Sequence, residues 1–178
     1  MTIDLHTHTT ASDGTLTPAE LVPTALRAGV DVLAITDHDT VAGIAPALAA
    51  AAGTDLRVLA GVELAATHGR HGLHLLAYGI DPADGTLAAR LHTLAALREE
   101  RVRDMLELLR GLGVAVRWEQ VAALARGTVG RPHVAQALVE AGYARDTGDA
   151  FARYSWQWQP GLLAVGAADR GRGRRPGA

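Results

Sequence analysis

The sequence has no cysteine, which excludes disulfides, thiolate metal sites and cysteine nucleophiles. It has no lysine either; all 17 basic residues are arginine, a bias that reflects GC-rich coding of an alanine-rich chain rather than chemistry. No apolar stretch approaches the roughly 20 residues that a membrane span needs, so no membrane partner is expected. The opening Met-Thr-Ile-Asp-Leu-His lacks a basic segment followed by an apolar one, so no signal peptide is read and a cytoplasmic location is expected. Basic charge is scarce where a nucleic-acid groove would need it. Residues 1–63 hold eight acids against Arg27 and Arg57, and only the last 13 residues turn basic, with four arginines and Asp169. The acidic first third suits a cation site.

What remains is 178 residues with 48% hydrophobic and 20% charged side chains, a globular composition for one domain or an incomplete larger one. Ile3 to Leu5 reads as a short buried strand. Thr17-Pro18-Ala19-Glu20 starts a helix, with Thr17 as N-cap, Pro18 at N1 and Glu20 closing a capping box, and Gly29 ends it. Val30 to Thr36 is a continuous apolar run suited to a doubly covered strand. A helix from Thr40 to Gly53, a strand from Leu56 to Val62 and a fourth strand from Gly72 to Tyr78 follow. This alternation predicts parallel βα units, so the first part of the domain spans 1–92. Residues 93–154 read as a helical insertion. One long amphipathic helix covers Leu87 to Leu112, with Glu99, Glu100, Arg101, Arg103 and Asp104 as its solvated face; shorter helices follow at Glu119–Leu124, Pro132–Ala141 and Thr147–Tyr154. Residues 155–178 carry no period and read as a disordered tail.

Ionisable residues gather at the strand ends: His6, His8, Asp13, His38, Glu63 and, inside the fourth strand, His74. In parallel α/β folds these ends share one edge, where active sites collect. His6 and His8 are two apart in extended chain and face the same way, as two ligands of one metal must. Taken singly, a strand-end histidine is more often a hydrogen-bonded structural residue. Recurrence at three successive strands favours a metal cluster, since the carboxylates brought together would otherwise repel. Asp37 and Asp39 would orient His38 or cap the next helix. Gly130-Arg131-Pro132-His133 starts a helix whose free N–H groups and guanidinium suit phosphate, and spacing alone leaves a solvated Arg131 with a capping His133 equally open.

Taken together, IDLHTHTTASDGTLTP, VDVLAITDHDTVAG, GVE, GLHLLAYGID and GRPHVA resemble the PHP family, the polymerase and histidinol phosphatase domains, and within it the stand-alone metal-dependent phosphoesterases of nucleotides. The resemblance runs in order over roughly residues 1–154. It implies a distorted (β/α)7 barrel, incomplete here, with a helical insertion and up to three divalent metals (Mn, Zn, Fe or Mg). It implies that His6, His8 and Glu63 hold one metal, Asp13 and His38 a second, and His74 with a bridging Glu63 a third. Arg131 and His133 would hold the substrate phosphate. The implied reaction is hydrolysis of nucleotide phosphate monoesters, such as nucleoside monophosphates or 3′,5′-bisphosphates, by metal-activated water, with no protein nucleophile. Histidinol phosphate and RNA or DNA ends are the alternatives within the family, and a catalytically impaired remnant is the alternative outside it.

The family pattern continues past the helical insertion with an alanine-histidine-proline element and a late aspartate-x-histidine. Here no histidine follows His133, and Asp169 is the one acid beyond residue 150. The expectation is that each metal lacks one protein ligand, that the tail is out of frame or truncated, and that the chain alone is a poor enzyme. Translating the gene beyond codon 154 in its other two frames checks this: a frameshift requires one of them to yield strand patterns and both missing elements.

Overall fold

The computed structural model describes residues 1–68 and 71–154; residues 69–70 and the tail expected from residue 155 lie outside the described residues. The chain runs β1 (Ile3–Thr7), α1 (Pro18–Arg27), β2 (Val32–Ile35), α2 (Ile44–Ala51), β3 (Arg57–His68), β4 (His71–Tyr78), α3 (Gly85–Gly111), α4 (Trp118–Leu124), α5 (Arg131–Glu140) and α6 (Thr147–Tyr154). The strands form one sheet in the order β1-β2-β3-β4. The first three are parallel, with α1 and α2 as crossovers, as the alternation of strand and helix predicts.

β3 and β4 depart from the expected pattern. β3 pairs in parallel with β2 only from Arg57 to Ala60; from Gly61 it pairs antiparallel with β4, through to His68↔His71. A parallel partner would need a crossover of about a dozen residues, and the stretch between the expected strands, residues 63–71, is too short for one. The chain therefore extends β3 into a hairpin. The sheet curls far enough that the Tyr78 hydroxyl donates to the Leu5 carbonyl at 2.8 Å, joining the two outer strands. The result is a curled half-barrel within an α/β fold.

Local chemistry sets the helix limits. The Thr17 capping box is present, with Glu20 N–H donating to Thr17 Oγ1 (3.3 Å) and Thr17 N–H to Glu20 Oε2 (2.9 Å). α3 starts at Gly85 because the Asp84 carboxylate accepts from the N–H groups of Thr86 and Leu87 at 2.7 and 3.1 Å. α2 begins at Ile44 rather than Thr40, because residues 37–43 are occupied by the loop described below.

Two apolar cores result. Val22 and Ala25 of α1 and Ile44 and Ala47 of α2 pack with Leu33 and Ile35 of β2 and with Leu56. The second core lies in the helical part, where Val102, Leu106 and Leu109 of α3 meet Val114, Val121, Val134 and Leu138. Each fully buried Leu or Ile in such cores contributes about 1.5–3 kcal/mol. Among the described residues, two polar links cross between the halves. Arg98 Nε of α3 donates to Asp39 Oδ2 at 2.8 Å, with Nη2 in ion-pair contact with the same oxygen at 2.8 Å, and Thr128 N–H donates to the Ala11 carbonyl at 2.9 Å.

Asp37, fully buried, organises the loops around the open edge. Its carboxylate accepts from Thr9 N–H (2.6 Å), Thr9 Oγ1–H (2.7 Å) and Ser12 Oγ–H (2.7 Å). Gly43 packs against it so closely that a Cβ would lie 2.3 Å from Asp37 Oδ2 and 2.9 Å from Thr9 Oγ1. Both atoms are tied into the buried network and cannot move without breaking it. Gly43→Ala is expected to cost about 1–3 kcal/mol of stability, as overpacking does, read as a lowered urea midpoint. Gly85→Ala, where a Cβ meets nothing within 4 Å, should leave the midpoint unchanged or raise it; equal losses in both variants would remove the steric account.

Candidate metal centre

The topology brings six ionisable side chains to one end of the sheet. His6 belongs to β1 and His8 follows it, Asp13 lies in the loop before α1, and His38 follows β2. Glu63 stands on β3 where parallel pairing gives way to the hairpin, and it bridges to His38. His74 reaches the same place from β4, opposite Ala65.

Glu63 is the hub, with 1% of its surface exposed. Its Oε2 lies 2.7 Å from His6 Nε2 and 2.9 Å from His8 Nε2, and its Oε1 contacts His74 Nδ1. The Nε2 atoms of His6 and His8 are 3.1 Å apart, so the two rings do share one side of the chain. Asp13 forms a second focus, 3.5 Å from His8 Nδ1 and 3.6 Å from His38 Nε2. Three overlapping groups result: His6, His8 and Glu63; His8, Asp13 and His38; His38, Glu63 and His74. Within each, one candidate ligand atom per residue lies within 4.8 Å of the others.

The electrostatics match this crowding. Burial pushes Glu63 toward protonation, but the hydrogen bonds of His8 and His6 and the charge of His38 outweigh it and hold the carboxyl well below its usual range. Burial, helped by the positive charge of Arg98, pushes the His38 imidazole down to about 3. His8 moves the other way: burial opposes its charge, but the hydrogen bond to Glu63 and the nearby charges of Asp13, Glu63 and Asp37 raise its pKa. A neutral imidazole is the form that ligates metal. His38 Nδ1 is buried with no hydrogen-bond partner. An orphaned acceptor facing carboxylates and imidazoles is what a missing cation leaves behind, so the donor set fits divalent metal.

Asp37 and Asp39 neither orient His38 nor cap α2. Asp37 ties the Thr9–Ser12 loop, and Asp39, at a φ of 51°, accepts from buried Arg98. Arg131 and His133 share the start of α5 but face different spaces: Arg131 lines a cavity with His74, Arg98 and Arg101, while His133 lines another with Asp13 and Ser12. His133 Nδ1 accepts from Gly130 N–H at 3.0 Å, so the neutral ring carries its proton on Nε2. Burial lowers the pKa of this ring against the pull of Asp13. Arg98 escapes the reading from sequence, and Arg101 is not the solvated residue expected of it: its Nε is buried without a hydrogen-bond partner. The signal for Arg98 is its place in the buried stripe Leu91, Val102, Met105, Leu109 of α3, where a charged residue breaks an apolar run.

Imidazoles and carboxylates gathered at the carboxyl edge of a curled α/β sheet form a candidate metal centre where α/β folds place their active sites. The chain belongs to the PHP domain family, which matches over residues 4–146. It is 39% identical over 166 residues to a 5′-3′ exoribonuclease of Haemophilus influenzae, covering 93% of this chain and 61% of the relative. It is 38% identical over 168 residues to a 3′,5′-nucleoside bisphosphate phosphatase of Chromobacterium violaceum, covering 91% and 58%. A crystal structure of a candidate metal-dependent phosphoesterase from Bifidobacterium adolescentis superposes with a TM-score of 0.77 at 35% identity, over 94% of this chain and 56% of that one. The chain thus spans a little over half the length of each of these three proteins. Among the described residues no helix is long and apolar enough to cross a membrane.

The low pKa of His38 makes the metal-free fold acid-sensitive. Between the ordinary value of 6.5 and the folded value of about 3, the unfolded chain binds a proton that the folded chain refuses, so stability falls as pH falls through that window. In EDTA, the melting temperature should drop as pH is lowered from 6.5 toward 4, and His38→Asn should flatten that slope. An unchanged slope in the variant would rule out His38 as its source.

Proposed function

We propose that this chain carries the metal-binding and phosphate-binding part of a hydrolase that cleaves phosphate esters of nucleotides. The observation that carries the reading is the buried Glu63 carboxylate shared among four imidazoles from three separate parts of the chain, with Asp13 as a second anionic focus. When bound at such a site, divalent cations supply hydroxide near neutral pH and offset phosphoryl charge. His6, His8 and Glu63 would hold one ion, Asp13 and His38 a second with His8 beside them, and His74 with Glu63 a third. Mixed imidazole and carboxylate donors suit Mn, Zn or Fe better than Mg, which prefers oxygen alone.

The protein's own groups divide the remaining work. Glu63, held ionised, fixes the orientation of His6, His8 and His74 and keeps His38 close. Arg131 offers a forked donor that fits a phosphate and screens its charge. His133 offers its Nε2–H toward the side of Asp13, where it can orient a phosphoryl oxygen or a leaving group. The loop tied by Asp37 holds Asp13 in register with both. The names of the relatives divide between a nucleoside bisphosphate and an RNA chain as substrate, and the chemistry they share is a nucleotide phosphate ester.

His8→Ala should weaken Mn(II) binding by at least tenfold, since removing groups that merely orient a ligand already costs about 10–100-fold. Arg131→Ala should leave metal affinity within twofold and weaken binding of adenosine monophosphate by about tenfold or more. Metal analysis paired with nucleotide titration reads both. Equal metal loss in the two variants would mean general unfolding and would end the division of roles. Turnover of adenosine 3′,5′-bisphosphate against 5′-phosphorylated RNA by the chain then separates the two substrate classes.

A further inference from the structure

His8 belongs to two of the overlapping candidate groups, and its two ring nitrogens face different neighbours. Nε2 lies 2.9 Å from Glu63 Oε2 and 3.1 Å from His6 Nε2. Nδ1 lies 3.4 Å from Ser12 Oγ and 3.5 Å from Asp13 Oδ1. A neutral imidazole keeps its proton on one nitrogen and ligates through the other, so the hydrogen-bond partner of the protonated nitrogen selects the donor atom. Asp13 is itself a candidate ligand of another ion, which leaves Ser12 as the neighbour outside the ligand set.

Ser12 has no choice in what it offers. A hydroxyl has one hydrogen to donate, and that of Ser12 goes to Asp37 Oδ1 at 2.7 Å, with both residues buried. An ionised carboxylate only accepts. Thr9 confirms that role for Asp37, donating its N–H to Oδ1 at 2.6 Å and its hydroxyl to Oδ2 at 2.7 Å. The turn is fixed as well, because the N–H groups of Ser12 and Gly14 both donate to the Thr9 carbonyl, at 3.0 and 2.9 Å. What Ser12 Oγ presents to His8 is therefore a lone pair.

We infer that Ser12, held by Asp37, is a positioning residue that keeps the proton of His8 on Nδ1 and so reserves Nε2 for the ion shared with His6 and Glu63. The inference rests on the metal-centre reading and goes beyond it by giving a role to a serine that ligates nothing. Imidazoles on metals are oriented through their second nitrogen, commonly by a carboxylate or a carbonyl. Here a hydroxyl stands between the ring and a buried carboxylate, and it passes on the demand of Asp37 for a hydrogen. Asp13 and His38 are then left to their ion without a bond from His8.

The test uses the full chain, labelled with 15N-histidine, and Zn(II) as the probe, since that ion has no redox chemistry and a filled d shell. In the Zn(II)-loaded wild type, two-bond 1H–15N correlation spectra should show His8 in one form, with its proton on Nδ1 and its Nε2 on the metal. Ser12→Ala should lose that single form and bind its tightest Zn(II) about 10–100-fold more weakly, the usual loss when an orienting partner is removed. Asp37 keeps both Thr9 donors in this variant, so its metal-free melting transition should remain cooperative. Thr54→Ala is the control for a purely structural hydroxyl: it removes a hydrogen bond to the Ala51 carbonyl at the end of α2 and should change neither the His8 spectrum nor the Zn(II) affinity. Nδ1 of His8 on the metal in wild type, or a Ser12→Ala protein with wild-type spectrum and affinity, overturns the role of Ser12. Failure of wild type to bind Zn(II) at all would instead sink the metal-centre reading beneath it.

Discussion

A carboxylate that is almost wholly out of water must be answered by donors or by a cation, and Glu63 is answered by imidazoles from β1, the loop behind it, the segment after β2, and β4. That requirement couples a local site to the whole sheet. Strand order brings His6 and His38 to Glu63, and strand register decides whether His74 arrives at all. The centre is therefore less an addition to the fold than the place where its topology converges.

Around this hub the acids divide their labour by environment. Glu63 and Asp13 face the site. Asp37 and Asp39 face inward and hold backbone and helix: Asp37 through Thr9 and Ser12, Asp39 through Arg98. A buried ion pair such as Asp39–Arg98 adds little net stability, because desolvation offsets attraction. Its contribution is positional, since it fixes α3 against the β2–α2 loop and so sets the wall of the cavity beside the candidate metal centre. Gly127 does the same for the next loop. A Cβ there would lie 2.0 Å from the Ala11 carbonyl, so only glycine lets that segment approach.

Much of this was legible in the sequence. Recurring His and Glu at strand ends announced the cluster, and the Thr17 box announced α1, because both depend on local spacing. The direction of β4 was not legible: GLHLLAY reads as a strand either way, and direction is decided by the length of the connection. Nor was the fate of the three ionisable residues after Thr36 legible in full, since Asp-His-Asp places one candidate ligand between two acids whose partners lie far away in Thr9 and Arg98. His133 stayed ambiguous for a simple reason. One ring nitrogen accepts from Gly130 N–H while the other has no hydrogen bond among the described residues, so the capping and the phosphate readings draw on different atoms of the same side chain.

The antiparallel hairpin imposes a counting rule on this part of the gene. His74 pairs with Ala65, and its neighbours Leu73 and Leu75 pair with Ala66 and Leu64. Side chains alternate between the two faces with a period of two, so inserting or deleting one residue between Glu63 and the hairpin tip, or between the tip and His74, would turn the imidazole away and present a leucine instead. Length variation inside either strand is therefore tolerated only by twos.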